Sequence, residues 1–142
     1  LTSGPVADRQ EDPKMMANIM QRSRWWRPLV RALGLGLLGL GILILIEPSI
    51  GALLFAAPMT GIADPLFLRA LAARDLATGS WLLAAPSISM PAATVSLFAI
   101  ALIPFADVLL VLSECGWTLA LLPHAASLVA VMMLALWGRH LA

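Results

Sequence analysis

The sequence predicts an all-α integral membrane protein: a four-transmembrane-helix bundle preceded by an amphipathic or extended N-terminal segment. Composition is the first reason. Of the 142 residues, 61% are hydrophobic and 12% are charged, and the mean hydropathy is +0.92, which leaves too few charges to clothe a soluble surface. The placement of those charges is the second. From Ala32 to Trp137 only Glu47, Asp64, Arg69, Arg74, Asp75, Asp107 and Glu114 carry a formal charge. Third, four apolar segments each approach the roughly 20 residues that cross a hydrocarbon core of about 30 Å. They cover residues 28–46, 65–85, 91–112 and 117–137, so that 28–142 forms the membrane domain and 1–27 a polar extension.

Taken in order, the extension opens with "LTSGPVADRQEDPK", polar and interrupted by two prolines. Its start at Leu1 reads as a processed or truncated terminus from which an organelle-targeting presequence has been removed. A tail of this kind orders when a neighbouring protein holds it. "MMANIMQRSRWWRPLVRAL" follows as an amphipathic entry helix on the membrane surface, broken near Pro28. Arg22, Arg24 and Arg27, with Trp25 and Trp26 between them, are expected to meet lipid headgroups, and cardiolipin suits such a cluster. Trp117 and Trp137 complete an interfacial belt. No other part of the chain is basic enough to bind nucleic acid.

The first span contains Gly34, Gly36, Gly39 and Gly41, spaced for close helix approach. Glu47-Pro48 ends it. "IGALLFAAPM" is too short to span and too apolar for water, so it is expected to lie at the interface or to re-enter the membrane. Pro65 and Pro91 suit first turns, where a missing N–H costs nothing, and "APSISMP" separates the second and third spans. "SECG" makes a short turn, so the last two spans are antiparallel neighbours. The arginines gather at the end shared by both termini, which by the positive-inside rule lies in the cytoplasm or the matrix.

The second span, "FLRALAARDLATGSWLLAA", contains the anomaly. At 1.5 Å per residue from the side opposite the termini, Arg69 lies roughly 6 Å deep, Asp107 about 8 Å, His124 about 10 Å, Arg74 about 13 Å and Asp75 about 15 Å. Three spans therefore place ionisable groups in one layer, and Glu47 is positioned to cap it. Each such group costs about 2.5–3.5 kcal/mol unless it faces the interior and is paired. Arg74 is expected to pair with Asp107 beside His124. Asp75, about 100° away from Arg74 on the helix, is expected to find His124 or a neighbouring span instead. Ala72, Asp75 and Gly79 share a small-residue stripe. Arg69 is shallow enough to snorkel.

These residues, with "EPSIGALLFAAPMTG", "LRALAARDLATGSWLLA" and "ALIPFADVLLVL", resemble a family of small four-span membrane proteins catalogued as domain of unknown function 4267. The likeness covers roughly Pro28 to Trp137, and its most specific parts are Arg74-Asp75 followed by Gly79, and Asp107 after Pro104. It implies a four-helix bundle with Arg74, Asp75, Asp107 and His124 as the family's polar set. The N-terminal extension departs from that pattern.

Two functions are compatible with this inventory. The first is an accessory, non-catalytic subunit of a large membrane complex, such as a respiratory or ATP-synthase assembly of the mitochondrial inner membrane with both termini in the matrix. It would bind lipids and other subunits, and its polar layer would be closely packed. The second is a small membrane enzyme, an isomerase or cyclase acting on a lipophilic substrate, with Asp107, His124 and Asp75 as acid and base groups, Arg74 as anion holder, and a cavity beside Arg74. No cofactor is expected. Cys115 is the only cysteine and His140 sits at the chain end, which leaves no thiolate set for a cluster or metal and no mid-span histidine pair for haem.

Overall fold

The computed structural model describes residues 13–54 and 65–141. They form six helices: α1 (Pro13–Ile46), α2 (Pro48–Leu54), α3 (Pro65–Ile88), α4 (Met90–Ile100), α5 (Leu102–Cys115) and α6 (Leu121–Leu141). The tail before Pro13, residues 55–64 of the apolar loop, and the side chain of Arg22 lie outside the described residues. Among the described residues three helices are long and apolar enough to cross a membrane: Arg24–Ile46 of α1, the rod Met90–Cys115, and Leu121–Leu141 of α6. The protein is an integral membrane protein. The fourth predicted span, α3, is long enough at 24 residues, but Arg69, Arg74 and Asp75 interrupt its apolar surface.

Prolines shape each rod in a different way. Pro28 was expected to break the entry helix, yet α1 runs through it without a stop. The ring removes one backbone bond, and the core anchors Trp26 and Val30, both fully buried, hold the helix on either side of the gap. Pro104 interrupts the third rod at Ala101, because the missing N–H leaves the Ile100 carbonyl without its helical donor. Ala101 keeps right-handed helical angles, so α4 and α5 remain one rod with a local offset. Pro123 delays α6. A helix starting at Trp117 would place this proline in its interior, whereas the start at Leu121 puts it in the first turn.

Only Ser89 separates α3 from α4. It is extended, with φ −161°, and its Oγ accepts from the Ala92 N–H, a side-chain cap that gives an acceptor to an N–H of the first turn. Between α5 and α6, Gly116 takes φ +67°, a left-handed conformation that favours glycine, and its N–H bonds the Leu112 carbonyl.

The rods pack as two hairpins, α1 with α3 and α4–α5 with α6, joined along α1–α6 and α3–α4. On the side that α3 shares with the α4–α5 rod the contact is made by α4, and the part between α3 and α5 has almost no direct backbone contact. The α1–α3 pair is the tightest. A Cβ built on Gly34 would stand 2.8 Å from the Gly79 carbonyl, one on Gly79 would stand 2.6 Å from the Gly34 carbonyl, and one on Gly41 would stand 2.8 Å from the Ala72 carbonyl. Thus the stripe Ala72, Asp75, Gly79 does meet a small-residue face, formed by Gly34 and Gly41. Gly36 and Gly39 have open space around them.

Trp26 corrects the predicted belt. Trp25 is 64% exposed, as a headgroup contact requires, but Trp26 is 0% exposed and its Nε1–H donates to the Leu134 carbonyl at 2.8 Å. Adjacent helical residues point about 100° apart, so one tryptophan faces out and the other faces in. Gly138 makes room for the indole ring, since a Cβ there would lie 2.8 Å from it. Trp26→Phe is expected to lower stability by about 1–2 kcal/mol through the lost hydrogen bond and volume. Trp25→Phe is expected to be near neutral, and thermal unfolding midpoints in one detergent compare the two.

Candidate functional site

The polar layer of α3, α5 and α6 comes together as one cluster around Arg74. Its Nη1 lies 3.2 Å from Asp107 Oδ1, and its Nη2 donates to Asp107 Oδ2 at 3.4 Å, a forked grip on one carboxylate. Its Nε donates to Asp75 Oδ1 at 3.1 Å. This last bond corrects the expectation that neighbours 100° apart need separate partners. The arginine side chain is long enough to fold back along the helix, and its three nitrogens serve two carboxylates at once. Asp75 and Asp107 are buried, while 30% of the Arg74 side chain is exposed.

His124 joins from α6. Its late-starting helix places it in the first turn, less deep than a span from 117 would put it, yet its Nδ1 still lies 3.7 Å from Asp107 Oδ2. On the other side of the ring Nε2 is 3.1 Å from the Leu54 carbonyl of α2. A carbonyl only accepts, so this bond places a hydrogen on Nε2. Among the described residues no buried side-chain nitrogen or oxygen lacks a hydrogen-bond partner. Arg69 is exposed and does not join the cluster, and Glu47 accepts from its neighbour Ser49 Oγ at 2.7 Å instead of capping the layer. Arg24 and Arg27 are exposed, as headgroup contacts require.

Beside the cluster lies a cavity of about 150 Å³. Arg74, Asp75, Asp107 and His124 form its polar wall, and leucine, isoleucine, proline and valine side chains of α1, α2, α4, α5 and α6 form most of the rest. Thr78 and Ser127 add two hydroxyls. Neither stands out in the sequence, although each carries a signal: Thr78 stands four residues after Arg74 and Ser127 three after His124, positions that share a helix face. Nothing in the sequence points to the Leu54 carbonyl, a backbone group on a short helix far along the chain.

An all-helical membrane bundle with a charge cluster walling an apolar cavity is thus the class that fold and site define. Residues 34–138 match the family described as Domain of unknown function (DUF4267), and the chain belongs to that family. No curated protein and no solved structure matches the chain.

Proposed function

We propose that this protein is a membrane-embedded enzyme that moves a proton on a small lipophilic molecule carrying an oxygen. The observation that supports the reading is the cavity of about 150 Å³ beside Arg74. An accessory subunit needs only a closed polar layer to lock its helices, whereas a cavity opening onto the charges serves a ligand. In this reading α3 is the fourth crossing, turning Arg74 and Asp75 inward and leaving Arg69 near its end to snorkel, and the exposed arginines of α1 mark the cytoplasmic or matrix side.

The chemistry follows from the positions of the groups. A ligand carbonyl beside Arg74 accepts a guanidinium N–H, which also holds the negative charge that develops on that oxygen. The Asp107–His124 pair takes a proton from the adjacent carbon. Where the ligand carries a β,γ double bond, the C–H electron pair forms a dienolate as the carbonyl pair moves onto oxygen, and the same pair of residues returns the proton at the γ carbon as the carbonyl re-forms. The double bond has moved and no electrons are gained or lost, which is an isomerisation.

Acetophenone is a suitable probe, because an apolar cavity of about 150 Å³ holds a molecule the size of benzene. With the protein in lipid nanodiscs in D2O, its α-hydrogens are expected to exchange faster than with empty nanodiscs. Asp107→Asn and His124→Gln are each expected to lower the protein-dependent rate by about 10²-fold or more. A wild-type rate equal to that of empty nanodiscs would overturn the reading.

A further inference from the structure

Resting on that reading, we infer that the ligand is an amphiphile whose oxygen sits between a compact apolar group in the cavity and a flexible apolar chain in a groove between α3 and α5. The groove, about 480 Å³, lies on the side of the bundle where these helices scarcely touch. It shares Arg74, Ile103 and Asp107 with the cavity, so the ion pair is a wall common to both spaces. In the inferred binding mode a molecule larger than the cavity displaces the exposed part of Arg74 and continues into the groove.

The groove has a direction. Phe67, Leu71 and Arg74 line it along one face of α3, and Ala106, Leu110 and Cys115 line it along α5. It runs from the cluster toward the end of α5, a rise of roughly 12 Å from Asp107 to Cys115. The ion pair stands at the junction; the cavity beyond it is apolar apart from the Thr78 and Ser127 hydroxyls, and the groove is apolar as far as Glu114 at its outer end. A ketone or ester oxygen flanked by two apolar parts matches that order, and a free fatty acid, polar only at its end, does not.

Cys115, the single cysteine, reports on the outer end of the groove. Nonanophenone places its carbonyl next to a phenyl ring and trails an eight-carbon chain; acetophenone has the ring and carbonyl with a single methyl. In nanodiscs, nonanophenone is expected to slow alkylation of Cys115 by N-ethylmaleimide at least threefold, and acetophenone to leave it unchanged. Ala106→Trp fills the groove midway and is expected to abolish the protection, with Leu110→Trp as a second blocking variant and Val95→Trp, on the exposed face of α4, as the control that retains it. Equal alkylation with both ketones, or protection that survives both blocking variants, overturns the proposal. If nonanophenone protects Cys115 but acetophenone shows no exchange, the chain site stands and the proposed reaction falls. Exchange without protection keeps the reaction and removes the chain site.

Discussion

Gly79→Leu is expected to prevent α1 and α3 from docking and to leave little folded protein, and Gly79→Ala to destabilise by about 2–3 kcal/mol. The cause is backbone against backbone. Even the alanine Cβ falls 2.6 Å from the Gly34 carbonyl and 2.9 Å from the Leu38 nitrogen, and neither atom can turn away as a side-chain tip would. Relief requires the helices to move apart along the most extensive contact in the bundle. That separation would also disturb Asp75, one turn away on the same stripe. Gly36→Ala is the matched control: its new methyl meets nothing within 4 Å, so the better helix propensity of alanine is expected to leave stability unchanged or slightly raised. Thermal unfolding followed by size-exclusion chromatography ranks the variants, and equal midpoints for Gly79→Ala and Gly36→Ala would contradict the close crossing.

Arg74→Leu is expected to cost about 3 kcal/mol, because removing one partner from a buried ion pair leaves the other's charge uncompensated. Here the loss is doubled in kind, since Asp75 and Asp107 share one guanidinium. The figure is set at the lower end of the usual range because 30% of the arginine side chain is not enclosed by protein. The double variant Arg74→Leu/Asp107→Leu is expected to recover at least half of that cost, as an apolar pair of similar shape needs no partner. Arg74→Lys is expected to rescue only in part, for one ammonium cannot reproduce a forked grip on Asp107 together with a bond to Asp75. A double variant as unstable as the sum of its singles would show that the pair is not coupled.

The core of the site is legible in the sequence because charge is expensive in an apolar helix. Arg74, Asp107 and His124 announce themselves by cost, and counting residues along three helices is enough to bring them to one level. Direction is harder to read than depth. The bond between Arg74 and Asp75 depends on how a long side chain folds back, and the helical wheel records only where it starts. Trp25 and Trp26 look alike as a pair at an interface, and only packing against Gly138 and Leu134 separates the exposed one from the buried one. The position of His124 turns on Pro123, which marks the true first turn of a segment whose apolar run begins earlier. The cavity is not legible at all. Its walls come from every rod of the bundle, and empty space has no residue to represent it.

The nearly contactless side between α3 and α5 also has a mechanical meaning. Within each hairpin the packing is extensive, so stiffness is shared among many contacts, while the edge between α3 and α5 is bridged by the grip of Arg74 on Asp107. Deformation imposed by the surrounding bilayer, through its thickness or lateral pressure, is therefore concentrated at that edge. The two hairpins behave as stiff leaves joined along α1–α6 and at the α3–α4 corner, and a single arginine sets the force needed to part α3 from α5.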